Sequence, residues 1–148
     1  MKRTLVILKT DALKRWLTGK IIDRLESKWL KLVASKMTVL DEEILKVHYS
    51  HLADKPFFPE IVEYMTDWPV VLQVWEGKDA PSIVRLMLGI TNSAEANPGT
   101  IRWDLAVGKW KNLMHASESD EAAVVEVERF FKAEEIYSYT KVDESELY

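Results

Sequence analysis

The pattern of apolar runs makes this chain an α+β sandwich in the order βαββαβ, with helices covering one face of a sheet. Short apolar or alternating runs of strand length recur along it. Between them lie segments whose apolar residues repeat at helical spacing. Asp, Ser, Pro and Gly stand at the junctions, where caps and turns need them.

Thr4 to Leu8 reads as a buried strand. Thr18 is placed to cap a helix carrying Ile21, Ile22 and Leu25. Leu32 to Leu40 is a second strand with partial alternation, and Asp41 caps a helix with Ile44, Leu45 and His48 on one side. Asp54 and Pro56 open a further helix with Phe57, Phe58, Ile61, Val62 and Met65 on its apolar stripe. Val70 to Trp75 is the third strand, bounded by Pro69 and Gly77. Asp79 and Pro81 start a helix through Leu88, which Gly89 ends. Ile90 to Ile101 is a polar loop around Pro98-Gly99, and Leu113 to His115 is a short strand. Ser117 or Ser119 caps a last helix bearing Val124, Val127, Phe130 and Phe131. The tail from Lys132 to Tyr148 is polar and acidic at its end, and residues 1–148 read as a single domain without linker or repeat.

The chain has 148 residues, 47% of them hydrophobic, enough for one packed core. It has no cysteine, so thiolate zinc sites, disulfides and cysteine nucleophiles are excluded, and a cytoplasmic protein is the natural reading. Met1-Lys2-Arg3 resembles the start of a signal peptide, but the apolar run behind it stops at Lys9. A net charge of −4 gives no general attraction for nucleic acid or an anionic membrane. A phosphate site must then be a local group of cations.

Several residues have two readings each. His48 and His51 lie on one helical stretch and are either metal ligands or ordinary exposed or half-buried histidines. His115 closes a strand where the chain leaves the core. A neutral imidazole there is a competent nucleophile near pH 7, and it is equally a core histidine. Lys9, Arg85 and Arg102 are solvated cations, or else they converge on a triphosphate. Phe57 and Phe58 are core or a ligand platform. No Walker-type glycine loop is present.

Taken in order, Arg3-Thr-Leu-Val-Ile-Leu-Lys-Thr-Asp11, His48-Tyr49, Lys55-Pro-Phe-Phe58, Val74-Trp-Glu-Gly77, Met87-Leu-Gly89, Thr91-Asn92, Pro98-Gly-Thr-Ile-Arg102 and Asn112-Leu-Met-His-Ala-Ser117 resemble the nucleoside diphosphate kinase family. The resemblance runs from Arg3 to about Tyr139. It implies a ferredoxin-like βαββαβ fold, an antiparallel sheet with helices on one face, in a homo-hexamer or homo-tetramer built from dimers. It implies that His115 takes the γ-phosphate of a nucleoside triphosphate and passes it to a nucleoside diphosphate, with Mg²⁺ arriving on the nucleotide rather than in a protein site. Arg85, Arg102 and Thr91 would bind phosphates, Lys9 and Asn112 would reach sugar and phosphates, and Phe57 would stack on the base. Glu126 would orient His115 from behind, and Ser117 and Tyr49 would support the site. A nucleotide-binding or interaction protein of the same fold without turnover is the alternative.

The chain departs from the family pattern mildly at Thr10, Ser93 and Glu118. It departs sharply at Trp16, Trp29, Trp68, Trp103 and Trp110, which fall where the pattern has glycine; only Trp75 falls where tryptophan is ordinary. Trp29 and Trp68 each follow a predicted helix, at the position where glycine takes a positive φ. One bulky residue at several glycine positions reads as a coding signature: UGA codons that the source cell decodes as glycine, rendered as tryptophan. Deliberate engineering, or a divergent natural protein that has made room for the rings, is the rival reading.

Overall fold

A computed structural model describes residues 1–147; Tyr148, the end of the expected tail, lies outside the described residues. Strands β1 (Lys2–Leu8), β2 (Lys31–Thr38), β3 (Val70–Gly77) and β4 (Met114–Ala116) form one antiparallel sheet in the order β2-β3-β1-β4. The helices are α1 (Thr10–Lys14), α2 (Thr18–Ser27), α3 (Glu42–His48), α4 (Phe58–Thr66), α5 (Ala80–Leu88), α6 (Ile101–Leu105), α7 (Asp120–Phe130) and the short α8 (Glu144–Leu147). The ferredoxin-like order is the expected one.

Helix coverage goes further than one face. Along β1, Val6 and Leu8 enter a core with Ile21 and Leu25 of α2 and Val84 and Leu88 of α5. Leu5 and Ile7 enter a second core with Leu45 of α3, Met65 of α4, and Val127 and Phe130 of α7. The reason is legible in β1 and β3. From Thr4 to Leu8 and from Val70 to Trp75 every residue is buried, which requires cover on both sides of the sheet.

Most caps are as expected. Asp41 accepts the Ile44 N–H at 2.9 Å. Ser119, rather than Ser117, caps α7 by accepting the Ala122 N–H at 3.1 Å. Gly89 ends α5 at φ +86°, and a Cβ there would lie 2.7 Å from Thr100 Oγ1. Other junctions differ. Thr18 is the first residue of α2 and caps nothing; the cap position is Leu17. Helix α4 starts at Phe58, because Lys55 to Phe58 first closes a separate turn. The polar loop after Gly89 ends in α6, capped by the Thr100 hydroxyl. The tail docks beside β2, where the Tyr137 N–H donates to the Val33 carbonyl at 2.8 Å.

Helices α1 and α2 both end in a Schellman motif. After α1, the Trp16 N–H donates to the Leu13 carbonyl at 3.0 Å and the Leu17 N–H to the Ala12 carbonyl at 2.9 Å. After α2, the Trp29 N–H donates to Glu26 at 2.8 Å and the Leu30 N–H to Leu25 at 3.3 Å. The motif needs a left-handed residue at its centre, and Trp16 and Trp29 take it at φ +54° and +66°. Trp68 does not follow the expectation: its φ is not positive. It precedes Pro69, which steers the preceding residue to extended backbone.

A Cβ in the left-handed region costs roughly 1–2 kcal/mol, partly offset by glycine's greater freedom when unfolded. Trp16→Gly and Trp29→Gly should therefore each stabilise the fold by about 1 kcal/mol, raising Tm by about 2–4 °C. A lowered Tm in calorimetry would mean that the rings contribute more by packing than their backbone costs.

Candidate active site

His115 is the middle residue of β4 and pairs with Ile7. Its neighbours Met114 and Ala116 enter the core under α2 and α5. Alternation therefore turns His115 to the other face, toward α3 and α7. Its Nε2 lies 2.9 Å from Glu126 Oε2 on α7. The Ser117 hydroxyl donates to that same oxygen at 2.8 Å and accepts the Leu5 N–H at 3.1 Å. A carboxylate only accepts, so the imidazole proton belongs on Nε2 and the lone pair on Nδ1. Burial pushes the Glu126 carboxyl up, but the bonds from His115 and Ser117 outweigh it and bring the pKa to about 2. Burial also holds His115 below its ordinary value, and Glu126 pulls it partly back. At pH 7 the pair is a neutral imidazole backed by a carboxylate.

Cations gather on the open side. Lys9, just past β1, donates to Asn112 Oδ1 at 2.7 Å. The Asn112 amide donates to the carbonyls of Thr91 and Lys109 at 2.9 and 2.7 Å. Arg102 is buried and donates to the carbonyls of Asn112, Gly89 and Met114 at 3.3, 3.1 and 2.8 Å. Burial and then the Arg102 charge lower Lys9 to about 7. Burial and then Arg85 lower Arg102 to about 10. Like charges are held together at a desolvated site, which is the condition of a site waiting for an anion. Lys9, Tyr49, Thr91, Arg102 and Asn112 line one hollow with His115. Arg85 approaches His115 from an adjoining hollow shared with Glu126 and Arg129. Phe57 stands apart, with the Trp110 ring stacked on it at 5.3 Å.

Three residues have a part at the site that the sequence reading does not assign them. Leu113 has φ +76°, inside a turn where the Met114 N–H reaches the Asn112 carbonyl at 3.0 Å. This strained turn is over-determined. The Lys9 N–H donates to the Leu113 carbonyl at 2.8 Å, and the Leu113 N–H donates to Asp11 Oδ2 at 3.2 Å. Asp11 also accepts the Tyr64 hydroxyl. The turn delivers Asn112 to Lys9 on one side and His115 to Glu126 on the other. The third is His48. It is buried, its ring centroid lies 4.5 Å from that of His115, and its Nδ1 accepts from Arg129 at 3.1 Å while Nε2 has no partner. Burial, then the neighbouring His115, drops it to about 3. His51 is exposed and does not group with His48. Among the described residues, the group able to hold a metal is His48, His115 and Glu126, with ligand atoms within 4.8 Å. An ion there would compete for the atoms that orient His115.

A family model described as nucleoside diphosphate kinase matches residues 2–136. The nucleoside diphosphate kinase of Parabacteroides distasonis is 48% identical, covering 94% of this chain and 91% of that protein. That of Methanothermobacter thermautotrophicus is 46% identical over 100% of this chain and 99% of its own. Among solved structures, a halophilic nucleoside diphosphate kinase from Halobacterium salinarum in complex with CDP superposes with a TM-score of 0.95 at 40% identity, covering 99% of this chain and 98% of that one. The enzyme from Encephalitozoon cuniculi gives 0.95 at 42%, with full coverage of both chains.

The electrostatics can be read by NMR titration. The Lys9 amine should lose its proton with a midpoint near 7. The His115 imidazole should titrate below 6.5, and Glu126→Gln should lower it further by removing the charge that favours protonation. Ordinary midpoints for both groups would mean that water solvates the site.

Proposed function

The chain belongs to the nucleoside diphosphate kinase family, and from that premise we propose that it carries the phosphoryl group between nucleotides on His115. The observation that bears most on this is the bond from Nε2 to Glu126, which leaves Nδ1 with its lone pair on the cationic side. Nδ1 attacks the γ-phosphorus of a nucleoside triphosphate. An N–P bond forms, the bond to the β–γ bridging oxygen breaks, and its electrons leave with the nucleoside diphosphate. The ring becomes more cationic as it donates, and the Glu126 carboxylate stabilises that charge without accepting the proton. A second nucleoside diphosphate reverses the steps and leaves as triphosphate. Splitting the transfer lets one site serve donor and acceptor.

Charge spreads over the phosphoryl oxygens in the transition state, so fixed cations act where it develops. Lys9, Arg85 and Arg102 take this role, with Thr91 and Asn112 as polar partners and Tyr49 packed near the imidazole, its ring centroid 6.2 Å away. The substrate is the Mg²⁺ complex of the nucleotide. The residues lining the hollow of Lys9, Arg102 and His115 include no carboxylate, so phosphates and water would hold the ion there. Phe57 is the base platform, and stacking suits an enzyme that accepts many bases.

We also place the protein in the cytoplasm as one domain over residues 1–148, assembled as a homo-hexamer or homo-tetramer. Exposed apolar Met37 and Val39, at and just beyond the end of edge strand β2, support assembly. No helix among the described residues is long and apolar enough to cross a membrane. One observation favours an interaction protein of the same fold without turnover: Trp110 covers the Phe57 platform.

Incubation with γ-labelled ATP and Mg²⁺ should give an acid-labile, base-stable phosphoprotein that discharges to GTP when GDP is added. His115→Ala should reduce the label to background while nucleotide binding stays measurable. Equal labelling of that variant would remove His115 from the chemistry.

A further inference from the structure

The tryptophans fall into two groups. Trp75 is fully buried, and its indole N–H donates to Gln73 at 3.0 Å. Trp16, Trp29, Trp68, Trp103 and Trp110 are exposed, at 90, 57, 50, 46 and 39%. Tryptophan is rarely spent on solvent, because its large apolar area is worth most when buried. Two of these residues hold the left-handed centres of Schellman motifs, where a side chain is strained and glycine is not. Composition agrees. Average usage of about 7% gives about ten glycines in a chain of this length. This one has 5, with 6 tryptophans, and exchanging the five exposed tryptophans for glycine brings the count to ten.

Trp110 brings the same substitution to the site. Its ring lies on Phe57 at 5.3 Å with the planes 26° apart, the arrangement a base would take. It lines both the hollow of Lys9, Asn112 and His115 and the hollow of Phe57 and Glu60. The indole therefore stands between the base platform and the nucleophile. It is held by a pinned turn, because the Asn112 amide donates to the Lys109 carbonyl at 2.7 Å. Without the ring, the two hollows open toward each other as one cleft.

We propose that positions 16, 29, 68, 103 and 110 are glycine in the protein as its cell makes it, encoded by UGA codons read there as glycine, and that tryptophan at 110 plugs the nucleotide cleft. The plug rests on Phe57 being the base platform; the backbone argument at 16 and 29 does not.

Peptides spanning positions 16, 29 and 110, recovered from cells that carry the gene and sequenced by mass spectrometry, should contain glycine. Tryptophan in those peptides overturns the decoding. In recombinant protein, Trp110→Gly should lower the KM for nucleoside diphosphates about tenfold, the scale of one aromatic stack no longer displaced. An unchanged or higher KM overturns the plug. Phe57→Ala in the Trp110→Gly background should then weaken nucleotides. If it does not, the platform assignment fails, while the peptide result still decides the decoding.

Discussion

The site depends on a single proton, the one on Nε2 of His115. Glu126 holds it from α7, and Ser117 ties the same carboxylate oxygen to the backbone of β1 through the Leu5 N–H. This chain of bonds joins edge strand β4, its neighbour β1 and helix α7, so three elements of the fold fix the imidazole. Replacing any member frees the imidazole to turn over or to exchange tautomers, and the lone pair would then face the core instead of the cleft.

Across the ring lies the opposite electrostatic condition. Lys9 and Arg102 are both buried, Arg102 depresses Lys9 and Arg85 depresses Arg102, and the Arg102 donors are taken up by backbone carbonyls. That arrangement is unfavourable when empty, and under the proposed function a polyphosphate would relieve it and restore the Lys9 proton. The strained turn at Leu113 is the hinge of the two halves. One residue before it, Asn112 meets Lys9; two residues after it, His115 meets Glu126. Asp11 and the Lys9 backbone hold the turn on both sides, so the cost at Leu113 is set against bonds that the rest of the fold supplies.

Much of this was readable in the sequence because it is local. The strand cores, the Asp41 cap, the Gly89 stop and the left-handed position at Trp29 each depend on a few neighbouring residues. The quoted motifs carried Lys9, Arg102, Asn112 and His115 to a common site. What escaped is long-range. That helices cover both faces follows from Thr4 to Leu8 of β1 and Val70 to Trp75 of β3 being buried throughout, and it is the second layer that packs His48 against His115, beside the Tyr49 and Glu126 that the family resemblance implies. Asp11 holds a turn more than a hundred residues away. The left-handed backbone of Trp16 has no sequence signal because α1 is too short to show a period, and Trp68 departs from the expectation because Pro69 governs its backbone.

The most direct measurement is the identity of the phosphorylated nitrogen. Heteronuclear NMR of the phosphoenzyme, with ¹⁵N-labelled histidine, reports which ring nitrogen of His115 couples to phosphorus. The Glu126 bond predicts phosphorus on Nδ1 and a retained proton on Nε2. Phosphorus on Nε2, or on His48 or His51 instead, would contradict the arrangement from which the chemistry is derived.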